Sequence, residues 1–117
     1  MKEEIKDIEL ELSKFPSSVL DEFKTAMNSM SSMIEEPYLS SWARQGVQIA
    51  QKTVRSWEAA AEYYKSSMDV SKFVSGADLL HWGQCGLNLC DQSPGLAVSF
   101  FKSSTGSRLQ NLNSKKM

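Results

Sequence analysis

The chain is short of the groups that most recognisable chemistries need. It holds one histidine, two cysteines and three prolines in 117 residues. His81 and Cys85 lie four residues apart, on one face of a predicted helix, with Cys90 and Asp91 close in sequence. A zinc site needs four ligands, or three and a water, and no second cluster completes this one. A Cys–His nucleophile is no better served, because two groups on one helix face point outward together and nothing orients the base. Cys85 and Cys90 are separated by about 140° around a helix, the wrong geometry for a disulfide. Two unpaired thiols in a chain without a secretory signal read as reduced, and place the protein in a cytoplasm.

An excess of charge of one sign is missing too. Thirteen basic and fourteen acidic residues leave a net charge of −1 and a pI near 5.8. The basic footprint that nucleic-acid binding relies on is therefore absent. No window approaches the roughly 18 apolar residues of a membrane span. The stretch Met1-Lys2-Glu3-Glu4-Ile5 is acidic and has no apolar signal core. No Gly-x-x-x-x-Gly-Lys, Gly-x-Ser-x-Gly or Gly-x-Gly-x-x-Gly is present. Asp91-Gln92-Ser93 begins like a metal-ion-dependent adhesion motif, but Gly95 stands where its second serine belongs. Met27, Met30 and Met33 have the spacing of a copper(I) thioether run, yet they continue the apolar face begun by Val19 and Phe23. These absences predict a protein that is not an enzyme and has no cofactor, no metal, no nucleic-acid partner and no membrane contact.

What is present is one pattern stated twice. Trp42, Gly46 and Ile49 recur as Trp82, Gly86 and Leu89 at an offset of 40 residues. Ala60, Tyr63, Tyr64, Lys65, Ser66 and Ser67 recur as Ala97, Phe100, Phe101, Lys102, Ser103 and Ser104 at an offset of 37. The change of three places a deletion in the connection between the two helices, where length varies most easily. A period near 40 with two helices per unit is the mark of a helical repeat. The segment Val19–Lys24 also resembles Ala97–Lys102 at an offset of 78, which suggests a diverged earlier copy.

Helices are expected over 3–14, from Ser18 to Glu36, from Tyr38 to Lys52, from Val54 to Ser66, from Ala77 to Cys90 and over Pro94–Ser103. Ser18 with Asp21, and Ser75 with Asp78, have capping-box spacing. Pro37 is expected to stop the second helix. Ser93-Pro94 starts the last one. The expected fold is all-α, about six helices in antiparallel pairs forming a short solenoid-like repeat array or bundle. It is read as one domain, with a diverged unit over 1–36, further units over 37–74 and 75–112, and a frayed tail over 113–117; Leu109 and Leu112, just ahead of the tail, are expected still to pack.

Glycine inside a helix costs about 0.8–1.0 kcal/mol relative to alanine, so two at equivalent positions need a reason. Closeness supplies one: without a Cβ, a backbone or an indole ring can lie directly on the helix. Gly46 and Gly86 sit one turn after Trp42 and Trp82, so each indole is expected over bare backbone, with Gly83 widening the slot in the second copy. The structural and interaction candidates are Trp42, Gly46, Trp57, Tyr63, Tyr64, Trp82, Gly86, Phe100 and Phe101.

The phrase Trp42-x-x-x-Gly46-x-x-Ile49-Ala50, followed by Trp57-Glu58-Ala59-Ala60-Ala61-Glu62-Tyr63-Tyr64-Lys65-Ser66-Ser67, resembles helical repeats of bacterial proteins that precede a von Willebrand A-type domain, of the CoxE and NorD type. Leu80-x-Trp82-x-x-x-Gly86-x-x-Leu89 with Ala97-x-x-Phe100-Phe101-Lys102-Ser103-Ser104 is similar. The resemblance covers 39–112. It implies a bacterial interaction module associated with an A-type domain and a MoxR-class AAA+ ATPase in complex maturation. Those repeats typically carry Ser-Pro after the aromatic pair, whereas this chain has Ser67-Met68 and Ser104-Thr105. No A-type domain is present, so no metal-site residue carries over. The leading expectation is a non-catalytic module that binds a protein partner, as a monomer or weak homo-oligomer. The alternative is a small-molecule or cofactor pocket lined by Trp42, Trp82 and the methionines.

Overall fold

The computed structural model describes residues 2–53 and 55–104, with side chains from residue 4 onward. Six helices follow one another: α1 (Lys2–Leu12), α2 (Ser17–Met30), α3 (Glu36–Ala50), α4 (Trp57–Val70), α5 (Gly76–Gln92) and α6 (Pro94–Ser103). There is no strand among the described residues, and the fold is an all-α helical bundle. Leu109, Leu112 and the tail lie outside the described residues.

Local chemistry sets the boundaries, and corrects several of those expected. The α1 helix buries Ile8 and Leu12 and leaves Leu10, off that stripe, in solvent. The α2 helix begins at Ser17 with Pro16 at the N-cap position and no side-chain cap, so the Ser18–Asp21 box does not form. It also ends at Met30, well short of Glu36. Pro37 does not stop α2; it lies in the first turn of α3, where its missing N–H leaves no bond unmade. Between them the chain folds through a turn in which Ser31 N–H donates to the Met27 carbonyl (3.0 Å) and Met33 N–H to the Met30 carbonyl (2.9 Å).

The same turn recurs 40 residues later. Ser71 N–H donates to the Ser67 carbonyl (2.9 Å) and Phe73 N–H to the Val70 carbonyl (3.0 Å). Here the expected cap is present, as Ser75 Oγ accepts from Asp78 N–H at 3.2 Å. The break between α3 and α4 is made by Ser56, whose buried hydroxyl donates to the Ala50 carbonyl (3.0 Å) and accepts from Thr53 N–H (2.9 Å). That pair of bonds satisfies the end of α3 and lets α4 start at Trp57; Val54, the expected start, lies outside the described residues. Residues 51–56 separate α3 from α4, whereas α5 runs past Cys90, the counterpart of Ala50, to Gln92 and leaves only Ser93 before α6. The three missing residues are therefore where the sequence offsets place them.

Contacts run along two rows. Helices α1, α3 and α5 touch in succession, as do α2, α4 and α6, and α3 packs on α4 as α5 packs on α6. The core lies between the rows. It contains Phe23, Met30, Leu39, Trp42, Ile49, Tyr63, Tyr64, Val70, Leu79 and Phe101.

Candidate functional site

Eight of the nine candidate residues come together in one aromatic spine between the rows. Within the second unit Trp42 meets Tyr64 edge-on (centroids 5.3 Å apart, 75°) and Tyr63 at 6.3 Å. Within the third, Trp82 meets Phe101 edge-on (5.0 Å, 60°) and Phe100 at 6.2 Å. Between units, Tyr63 stacks on Trp82 at 5.7 Å and 18°. Phe23 stacks on Trp42 at 5.8 Å and 23°. Each ring contact among the described residues thus has a counterpart in the neighbouring unit.

This geometry shifts the register expected for the first unit. Phe23 takes the place of Tyr63, at the same offset of 40 that relates Trp42 to Trp82. Its counterpart in α6 is therefore Phe100 and not Phe101. A match of residue types aligns Phe-Lys in both segments, whereas packing equates residues by the ring they receive. Position 24 is then the counterpart of Tyr64 and Phe101, and it is an exposed lysine.

The glycines are explained by closeness, but to a different ring. A Cβ on Gly46 would overlap the phenol end of the Tyr64 ring, and one on Gly86 the tip of the Phe101 ring. Neither indole occupies the bare backbone of its own helix. The second aromatic of the following helix does, and this lets α4 and α6 approach α3 and α5. Tyr64 is pinned there, its hydroxyl donating to the Ala43 carbonyl at 2.7 Å. Tyr63 donates to the Trp42 carbonyl at 2.8 Å and lies 3.1 Å from Gln45 Oε1. Gly83 makes room for that amide and does not widen an indole slot. The Gln45 Nε2 in turn donates to the Leu80 carbonyl (3.3 Å), joining α3 to α5 through a buried polar bridge.

Burial pushes both phenols well above the ordinary tyrosine range, and the neighbouring Tyr64 adds to the rise at Tyr63. Burial also pushes the Cys90 thiol up, with Asp91 adding to the rise and Lys52 opposing it. The Trp42 and Trp82 indole N–H groups are buried without an acceptor among the described residues. Ser67 and Ser104, also equivalent, bind back to the Tyr63 and Phe100 carbonyls at 2.5 and 2.7 Å.

Trp57 is the candidate that stands apart. It is half-buried on α4, in an open cleft with Glu22, Glu62, Lys65, Val98 and Lys102. The methionines do not share one face either: Met30 is buried, Met27 half-buried, and Met33 lies in the turn after α2. They form no pocket with Trp42 and Trp82, whose rings are filled in by other rings. His81 is exposed, 4.0 Å from the Sγ of Cys85. Among the described residues no group of three His, Cys, Asp or Glu side chains is placed to hold a metal. No helix among them is long and apolar enough to cross a membrane.

Among the described residues, three of the five exposed large apolar side chains lie in or next to the inter-unit turns. Met33 (45% exposed) and Phe73 (37%) occupy equivalent positions in the two inter-unit turns. Tyr38 (36%) lies in the first turn of α3, its ring against Gly76 at the start of α5. The 40-residue offset from Met33 to Phe73 was available in the sequence but hidden by the unlike side chains.

No family model, curated protein or solved structure matches the chain. The spine and the turn edge carry the functional reading by themselves.

Proposed function

We propose that this protein is a non-catalytic helical-repeat module that binds a protein partner along the edge formed by its inter-unit turns. The observation that supports it is the repeated exposure of Met33 and Phe73 at one turn position, with Tyr38 in the first turn of α3. Single exposed apolar residues are ordinary on protein surfaces. The same position exposed in two successive turns presents a periodic row, as repeat proteins do when they engage an extended partner. The pocket alternative is disfavoured because the indoles that would line it are buried among Phe23, Tyr63, Tyr64 and Phe101.

An association with an A-type-domain protein and a MoxR-class AAA+ ATPase, in a bacterial cytoplasm, belongs to the same proposal and rests on the motif resemblance alone. The test is binding of purified candidates to the wild-type protein and to a Met33→Glu/Phe73→Glu variant. Binding that survives both charges refutes the turn edge as the surface. Failure of A-type and MoxR-class proteins to bind at all refutes the maturation link.

A further inference from the structure

The turn edge is not the sole apolar surface, and the repeat geometry marks another at the end of the even row. In α2, Val19 and Phe23 are fully buried, and Phe23 meets Trp42 and Tyr64 of the next unit. In α4, Ala59 and Tyr63 are fully buried, and Tyr63 meets Trp82 and Phe101 of the next unit. The counterparts in α6 are Leu96 and Phe100. Leu96 is 47% exposed, against 0% for Val19 and Ala59, and Phe100 is only half-buried. The odd row shows the same change, from Ile49 at 0% to a half-buried Leu89. A face that each earlier unit covers with its successor is left open among the described residues, yet keeps large apolar side chains.

We propose that this face pairs two copies of the chain tail to tail, α6 against α6 about a twofold axis. Charge decides the mode. Head-to-tail stacking would bring the other end of the array onto Phe100, but there exposed Lys24 stands where Tyr64 and Phe101 present rings. The α6 face is self-compatible: Leu96 and Phe100 are flanked by Ser99 and Ser103, and Lys102 is the one charged residue of the helix. Lys102 lies on the other side, in the cleft with Trp57 and Glu62. Among the described residues no like charges therefore face each other across the axis, and the small serines allow the helices close approach. A twofold contact uses one patch twice and closes on itself, so it ends at the dimer. The proposal is independent of the partner-binding role, which uses the turn edge.

The experiment is sedimentation equilibrium of the full chain over a wide concentration range, with the folded state checked by circular dichroism. The expected result is a reversible monomer–dimer equilibrium that stops at two copies. Leu96→Lys should weaken it by at least roughly tenfold, the loss of one central apolar anchor. Ser103→Glu, which sets like charges against each other across the axis, should do the same if Leu96→Lys fails to fold. Leu10→Lys, at the far end of the array, should leave it unchanged. A chain that stays monomeric throughout overturns the proposal. So does a dimer indifferent to both α6 changes, or association that continues past two copies.

Discussion

Gly46→Ala tests the glycine–ring contact on which the helix pairs depend. Considered as a helix residue alone, alanine should stabilise α3 by about 0.8–1.0 kcal/mol. In the structure its Cβ would overlap the phenol end of the Tyr64 ring, with the hydroxyl and two ring carbons as the nearest atoms. The ring has no room to give, since it contacts Phe23, Trp42 and Tyr63 and its hydroxyl bonds to the Ala43 carbonyl. Overpacking of this kind costs about 1–3 kcal/mol. If the ring shifts enough to lose its bond, a buried hydroxyl left unpaired adds roughly 1–3 kcal/mol. Subtracting the propensity gain leaves a net destabilisation of about 1–5 kcal/mol, a drop in Tm on the order of 5–25 °C for a chain this size. Urea and thermal unfolding by circular dichroism measure it. Gly95→Ala is the control, because its Cβ would meet only Ser93 Oγ at 3.6 Å; it should be neutral or stabilising by up to about 1 kcal/mol. Gly86→Ala should cost less than Gly46→Ala, since Phe101 has no hydroxyl to strand. A Gly46→Ala protein as stable as wild type, beside a well-behaved Gly95→Ala, would refute the reasoning.

Stability should fall at alkaline pH. The unfolded phenols ionise near pH 10 while folded Tyr63 and Tyr64 hold their protons, so stability persists below about pH 10 and declines above it by up to roughly 2.7 kcal/mol per pH unit. Urea midpoints across that range should show the decline, and Tyr63→Phe with Tyr64→Phe should remove most of it. Thiol titration of the native protein should modify half-buried Cys85 ahead of Cys90, which burial protects until unfolding; rapid reaction of Cys90 near neutral pH would contradict its placement. A Trp57→Phe variant retains only the two spine indoles, so its emission should be blue-shifted, resist acrylamide and ignore added metabolites.

How much of this was legible in the sequence depends on what each residue answers to. The Trp42/Trp82 and Tyr63/Phe100 equivalences were readable because ring size is what the spine needs and the residue types record it. The connection deletion was readable for the same reason, since both offsets are anchored by rings on either side. Met33 and Phe73 were not, because a solvent-facing turn accepts any side chain and preserves no shared letter. The α2 boundary was missed through Pro37, which is compatible with a helix start as readily as with a stop. Ser56 was missed because a buried cap made by one hydroxyl six residues beyond the carbonyl has no local signature.

The glycine and the ring behave as one device, and the first unit reveals the consequence of losing both. No glycine occurs in α1, and Lys24 stands in the place of Tyr64 and Phe101. With no ring to seat and no bare backbone to seat it on, α1 adds only Ile8 and Leu12, among its described side chains, to the buried core, and it touches α2 less than α3 touches α4. It is held instead by its neighbour in the odd row. Glu4 on α1 accepts from Arg44 Nε at 2.9 Å and from Ser40, both on α3, and that hydrogen bond from Arg44 holds its carboxyl below the usual range. On that side Arg44 and Ser40 add polar ties to the burial of Ile8 and Leu12. At the other end Phe101 still seats on Gly86 while Leu96 lies open, so the two ends of one repeat are finished in opposite chemistries. Lys24 puts a charge on the α1–α2 unit where the later units place rings, whereas Leu96 keeps the described α6 face apolar, and the proposed pairing of α6 faces rests on this contrast.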